Sequence, residues 1–64
     1  MERYAVISAE GHYGDSTQVW SVHRTREAAE KAVGPRYQVI RWDNAAKGEE
    51  LTRAEVAYIR CYAR

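Results

Sequence analysis

The sequence predicts an α+β fold: a three-stranded sheet in the chain order β-β-α-β-α, with helices packed on the sheet. Three observations carry that reading. Runs of β-branched and aromatic residues recur at Arg3 to Ala9, Gln18 to Val22 and Tyr37 to Trp42. Gly, Asp, Asn and Pro punctuate the chain between them. Two stretches, after Thr25 and after Thr52, combine helix-start residues with apolar positions at helical spacing.

The first strand covers Arg3 to Ala9, where Tyr, Val and Ile favour extended backbone. Glu10 to Ser16 holds two glycines with Asp15 and Ser16, the composition of a hairpin loop. Thr17 to His23 returns as the second strand. Thr25 then caps a helix over Arg26 to Val33, with Ala28, Ala29, Ala32 and Val33 on one face. Gly34 and Pro35 stop it, the glycine as a left-handed cap and the proline because it cannot continue the helix. Tyr37 to Trp42 is the third strand. After a loop bounded by Asp43-Asn44 and Lys47-Gly48, Thr52-Arg53-Ala54-Glu55 has the form of a capping box, flanked by a staple of Leu51 and Val56. The second helix runs from Arg53 to about Ala63.

A right-handed crossover from the second strand to the third makes those two parallel, so the first strand can sit between them, antiparallel to both, giving the order 2-1-3. Alternation divides the side chains into two tracks. Ala5, Ile7, Ala9, Trp20, Val22, Ile40 and Trp42 form a wholly apolar track, expected to meet the alanine face of the first helix. Tyr4, Val6, Ser8, Val19, Ser21, His23, Tyr37, Val39 and Arg41 form a mixed one. Either the second helix covers this mixed face, or it is left as a binding or dimer face.

Sixty-four residues make a single domain with a marginal core, since a chain this short buries only about 60% of its unfolded surface. One cysteine, Cys61, permits no internal disulfide and fits a reducing compartment, so the expected location is cytoplasmic. A net charge of +1 excludes a strongly basic histone-like binder and an acidic DNA mimic. No apolar run reaches membrane length and none has the form of a signal peptide.

No residue constellation names a reaction. His12, Asp15 and Ser16 share a flexible turn, which gives a triad no orienting shell. His12, His23 and Cys61 lack the short spacings of a zinc site, and no cofactor is expected. Gly11-x-x-Gly14 joins two strands and has no Walker lysine after it. Helix two offers a basic stripe of Arg53, Arg60 and Arg64 beside an apolar arc of Val56, Ile59, Tyr62 and Ala63. With the sheet tyrosines, that stripe would suit phosphate contacts and stacking, which is the nucleic-acid alternative.

The stretches Tyr4-Ala5-Val6-Ile7-Ser8, Gly14-Asp15, Val22-His23-Arg24-Thr25-Arg26-Glu27-Ala28-Ala29 and Tyr37-Gln38-Val39-Ile40 cover about half of the chain. In this pattern the chain resembles small orphan proteins of bacteriophages and other mobile elements, anti-CRISPR inhibitors among them. The resemblance implies a class of work, binding a surface of a host protein complex, and assigns no residue. The expected function is a small non-enzymatic protein-binding module, as a monomer or a homodimer. Its anchors would be Tyr4, Tyr37 and Arg41 on the sheet, and Arg53 and Arg60 on the second helix.

Overall fold

The computed structural model describes residues 2–62. The chain runs β1 (Tyr4–Ser8), β2 (Ser16–Gln18), β3 (Ser21–His23), α1 (Arg26–Lys31), β4 (Tyr37–Arg41), β5 (Glu50–Thr52) and α2 (Arg53–Tyr62). The main sheet has the order β3-β1-β4, antiparallel at both junctions, which is the predicted arrangement with the first strand central. Tyr4 lies opposite His23 and Arg41, and Ala5 opposite Val22 and Ile40. The sequence of β1, Tyr-Ala-Val-Ile-Ser, explains its place: it carries no charge, and Ala5, Val6 and Ile7 are all buried.

The second predicted strand is broken. Trp20 N–H donates to Val6 C=O at 2.9 Å, yet the register partner of Val6 is Ser21. Two residues set against one constitute a β-bulge, which bends the strand. Upstream of it, Val19 N–H donates to Glu49 C=O and Gly48 N–H donates to Val19 C=O, each at 2.8 Å. The chain therefore changes partners at the bulge. β2 pairs with β5 in a separate two-stranded ribbon, and β3 pairs with β1. β5 is an addition to the predicted elements: Glu50, Leu51 and Thr52 alternate out, in, out over too short a span to read as a strand.

The bulge also moves Trp20 off the apolar track. Its Nε1–H donates to Ser8 Oγ at 3.3 Å, and its ring meets Tyr37 edge-on, with centroids 6.4 Å apart. Ser8 and Tyr37 are register partners, so Trp20 sits on the tyrosine-bearing side.

The facing of the helices is the reverse of the expected one. Ala5, Ile7 and Ile40 pack with Val19, Ala45, Leu51, Val56 and Ile59, and with Val22 and Trp42 at the margin. The apolar track thus meets α2 and the ribbon. The physical reason is size: Leu51, Val56 and Ile59 bring far more apolar area than the alanines of α1, of which only Ala29 is buried. Val6 and Ala29 are buried apart from that core, and the Arg26 guanidinium lies 5.2 Å above the Tyr4 ring. α1 therefore roofs the middle of the tyrosine-bearing face. Of the two alternatives for the mixed face, cover by the second helix is corrected: its cover is α1, and each face has a helix.

Both helix starts form as predicted. Ala28 N–H donates to Thr25 Oγ1 at 3.1 Å. Thr52 N–H donates to Glu55 Oε1 at 3.0 Å while Glu55 N–H donates to Thr52 Oγ1 at 3.1 Å, completing the capping box. Leu51 and Val56 are both buried beside it. α1 ends at Lys31 and is capped by Ala32 in right-handed backbone, so Gly34 is not a left-handed cap. The left-handed glycines are Gly11 and Gly48, at φ 86 and 87°. The expected end of the second helix at Ala63, and Arg64 of the basic stripe, lie outside the described residues. Among the described residues no helix is long and apolar enough to cross a membrane.

Leu51 is fully buried where ribbon, sheet and α2 meet. Leu51→Ala is expected to lower the unfolding free energy by about 2–5 kcal/mol in a denaturant titration. The capping box predicts a pH effect. The backbone N–H of Thr52, and after it the Thr52 hydroxyl, holds the Glu55 carboxyl below its ordinary pKa. A lowered folded pKa stabilises above the unfolded pKa, and that stabilisation disappears as the pH falls through the folded value. The stability gap between the parent chain and Glu55→Ala should be full at neutral pH and narrow through the acid range, read by denaturation at a series of pH values.

Candidate protein-binding surface

α2 turns Val56 and Ile59 into the core, which fixes what its other side presents. Tyr58 and Tyr62, four residues apart, stand on that outer side at 69% and 81% exposure. Their rings stack at 6.0 Å with planes 18° apart. Facing them is the corner after β4. Trp42 N–H donates to Arg3 C=O at 2.9 Å, and Ala45 N–H donates to Trp42 C=O at 3.1 Å, turning the chain tightly. Arg3 Nη1 donates to Ala45 C=O at 3.1 Å and secures the corner. Between corner and helix lies a cleft of about 550 Å³, lined by Trp42, Asp43, Asn44, Tyr58, Ile59 and Tyr62, with Arg41 at its rim. A second hollow of about 370 Å³ is lined by Trp42, Tyr58, Ile59, Ala54 and Glu55. Arg41 pairs with Glu2 at 3.2 Å and with Asp43 at 3.7 Å. The result is an aromatic-walled recess with a charged lip.

The five residues expected as anchors do not form one patch. Tyr37 and Arg41 sit at opposite ends of β4. Tyr37 is 41% exposed and pairs with Trp20, itself 48% exposed. Tyr4 is half-buried beneath Arg26, and its hydroxyl donates to Glu2 Oε2 at 3.2 Å.

Arg53 and Arg60 are engaged with the chain's own hairpin loop. Arg53 Nε donates to Gly14 C=O at 3.1 Å, and Nη2 donates to Tyr13 C=O at 2.7 Å. Its guanidinium lies 4.8 Å over the Tyr13 ring, and its backbone N–H donates to Asp15 C=O at 2.9 Å. Glu10 closes the arrangement, pairing with Arg53 at 3.4 Å and with Arg60 at 3.2 Å. Arg53 is thus a clamp that orders residues 10–15.

Sequence reasoning missed the recess. Tyr58 was not singled out and Tyr62 was placed on the apolar arc. Their spacing of four on a helix whose inner positions are Val56 and Ile59 was the available signal.

The other chemically suggestive groups are scattered. Ser16 lies in β2 opposite Thr52. Ser21 Oγ and His23 Nε2 are 2.9 Å apart, neighbours on one face of β3. Cys61 is exposed on α2. Among the described residues no three His, Cys, Asp or Glu side chains gather as a metal set would.

Arg53→Ala is expected to quicken amide exchange over residues 10–15 while leaving exchange in β1 unchanged. Arg53→Lys should not restore protection, because an ammonium cannot reach two carbonyls and a carboxylate in one plane. Arg60→Ala removes only an exposed ion pair and should cost less than about 1 kcal/mol in a thermal or denaturant melt.

No family model, no curated protein and no solved structure matches this chain.

Proposed function

We propose that this chain is a small non-enzymatic protein-binding module that works by covering a surface of a host protein or complex, in the manner of phage-type inhibitors such as the anti-CRISPR proteins. The observation that carries the reading is the exposed Tyr58–Tyr62 stack above a recess walled by Trp42. Two large rings held mostly in water contribute little to the fold, and aromatic residues around a recess are the residue type that dominates binding energy at protein interfaces. Of the anchors expected on the sheet and on the second helix, Tyr4, Tyr37, Arg41, Arg53 and Arg60, Arg41 is the one that also lines this recess. A lone exposed thiol, Cys61, fits work in the reducing cytoplasm.

The test is affinity capture from the native host, read by mass spectrometry, with the parent chain beside Tyr58→Ala/Tyr62→Ala. Both tyrosines lie outside the core, so the double variant should keep the parent's melting behaviour, while each lost anchor weakens binding by about 2 kcal/mol. A captured protein that depends on the two tyrosines supports the reading. Equal capture by parent and variant, or no capture by either, defeats it.

A further inference from the structure

We propose that the chain pairs with a second copy of itself along the outer edge of β4, joining two three-stranded sheets into one continuous antiparallel sheet. The argument begins with backbone groups. Ala9 N–H donates to Arg36 C=O at 2.8 Å, and Trp42 N–H donates to Arg3 C=O at 2.9 Å. In an antiparallel ladder, bonding residues alternate. The even-numbered residues of β4 therefore turn their amides and carbonyls toward β1, and Val39 and Arg41 turn theirs outward. The Tyr37 carbonyl points outward too, while its N–H donates to Gly34 C=O at 3.1 Å. Among the described residues no strand lies against this edge.

The two edges of the sheet differ. β3 is three residues long and begins at the Trp20 bulge, both of which blunt an edge against further pairing. β4 is five residues long, holds an unbroken register with β1, and contains no proline or bulge; its one charge, Arg41, is engaged by Glu2 and Asp43. An unblunted strand of that kind is a template for another strand.

What fits the template is its own copy, because the edge is self-complementary. A two-fold axis through Val39 sets that residue against itself, each amide donating to the other's carbonyl. The same axis brings Arg41 N–H to the C=O of the partner's Tyr37. Arg41, held by Glu2 and Asp43, then stands opposite the partner's Tyr37 in the new ladder, where its guanidinium can reach that exposed ring, a cation–π pair repeated by symmetry. The half-buried Val39 side chains form a β-branched cross-strand pair between them. Size favours the arrangement: a chain this short with no internal disulfide gains a staple by association. The pairing shares Arg41 with the recess of the proposed function but not Tyr58 or Tyr62, so Val39→Pro and Tyr58→Ala/Tyr62→Ala test the two readings separately.

The experiment is light scattering on the full chain, with amide hydrogen exchange measured on the same samples. The expected mass is twice 7.4 kDa, with slow exchange at the Val39 and Arg41 amides. Val39→Pro removes the donor at the axis, an N–H that makes no bond to β1, and an edge strand tolerates proline at such a position. It should halve the mass to 7.4 kDa with the circular dichroism spectrum retained. Should that variant not fold, exchange in the parent chain decides alone. A mass of 7.4 kDa at every concentration up to the solubility limit overturns the proposal. A dimer whose Val39 and Arg41 amides exchange freely, or one that survives Val39→Pro, overturns it equally.

Discussion

A strand with apolar side chains on both faces must be covered twice, and β1 is such a strand. Ala5 and Ile7 point one way, Val6 the other, and all three are buried. The rest of the chain follows from meeting that demand with few residues. The side with Ala5 and Ile7 receives α2 together with β5 and the residue that follows β2, which supply Val19, Leu51, Val56 and Ile59. The side with the single Val6 receives a six-residue helix that buries one alanine. The division matches apolar area on the sheet to apolar area on the cover, which is where the hydrophobic gain is largest.

The bulge at Trp20 makes this economy possible. By inserting one extra residue, it turns a single extended run into two short strands serving different sheets. Val19 reaches the core and Trp20 goes to the opposite face, although regular alternation would have sent Trp20 inward with Val22. Leu51 could then be drawn into the core from a segment with glutamates before it and a helix after it. The same segment positions the capping box, so the ribbon and the start of α2 are one construction.

The strand order, the central place of β1 and both N-caps were legible in the sequence because each rests on local chemistry: β-branched runs, a crossover rule, and Thr25 and Thr52 at fixed offsets from the residues they cap. The facing of the helices was not. Alternation sorts side chains into tracks but does not say which cover each track takes, and the alanines of α1 looked a better fit to a flat sheet than they are. The bulge was invisible because Gln18-Val19-Trp20-Ser21-Val22 has no glycine or proline to mark it. Of the residues read as anchors, Arg53 and Arg60 turned out to hold the hairpin loop through Glu10. A charge pattern on one helix cannot reveal a carboxylate some forty positions away. Tyr58 and Tyr62 were within reach of the helical spacing, but their prominence depends on where the sheet ends beneath α2.

The pairing of Ser16 with Thr52, like that of Tyr4 with Arg41, joins points far apart in the sequence. Most of the polypeptide is thereby enclosed in a single ring, and the entropy of closing so long a ring must be met before the ribbon returns any contact energy. Folding should be paced by these long-range closures more than by either helix. A protease cut inside the ring would turn one cooperative molecule into two fragments joined only by side-chain contacts and ladders, each of which had relied on the continuous backbone to bring it together.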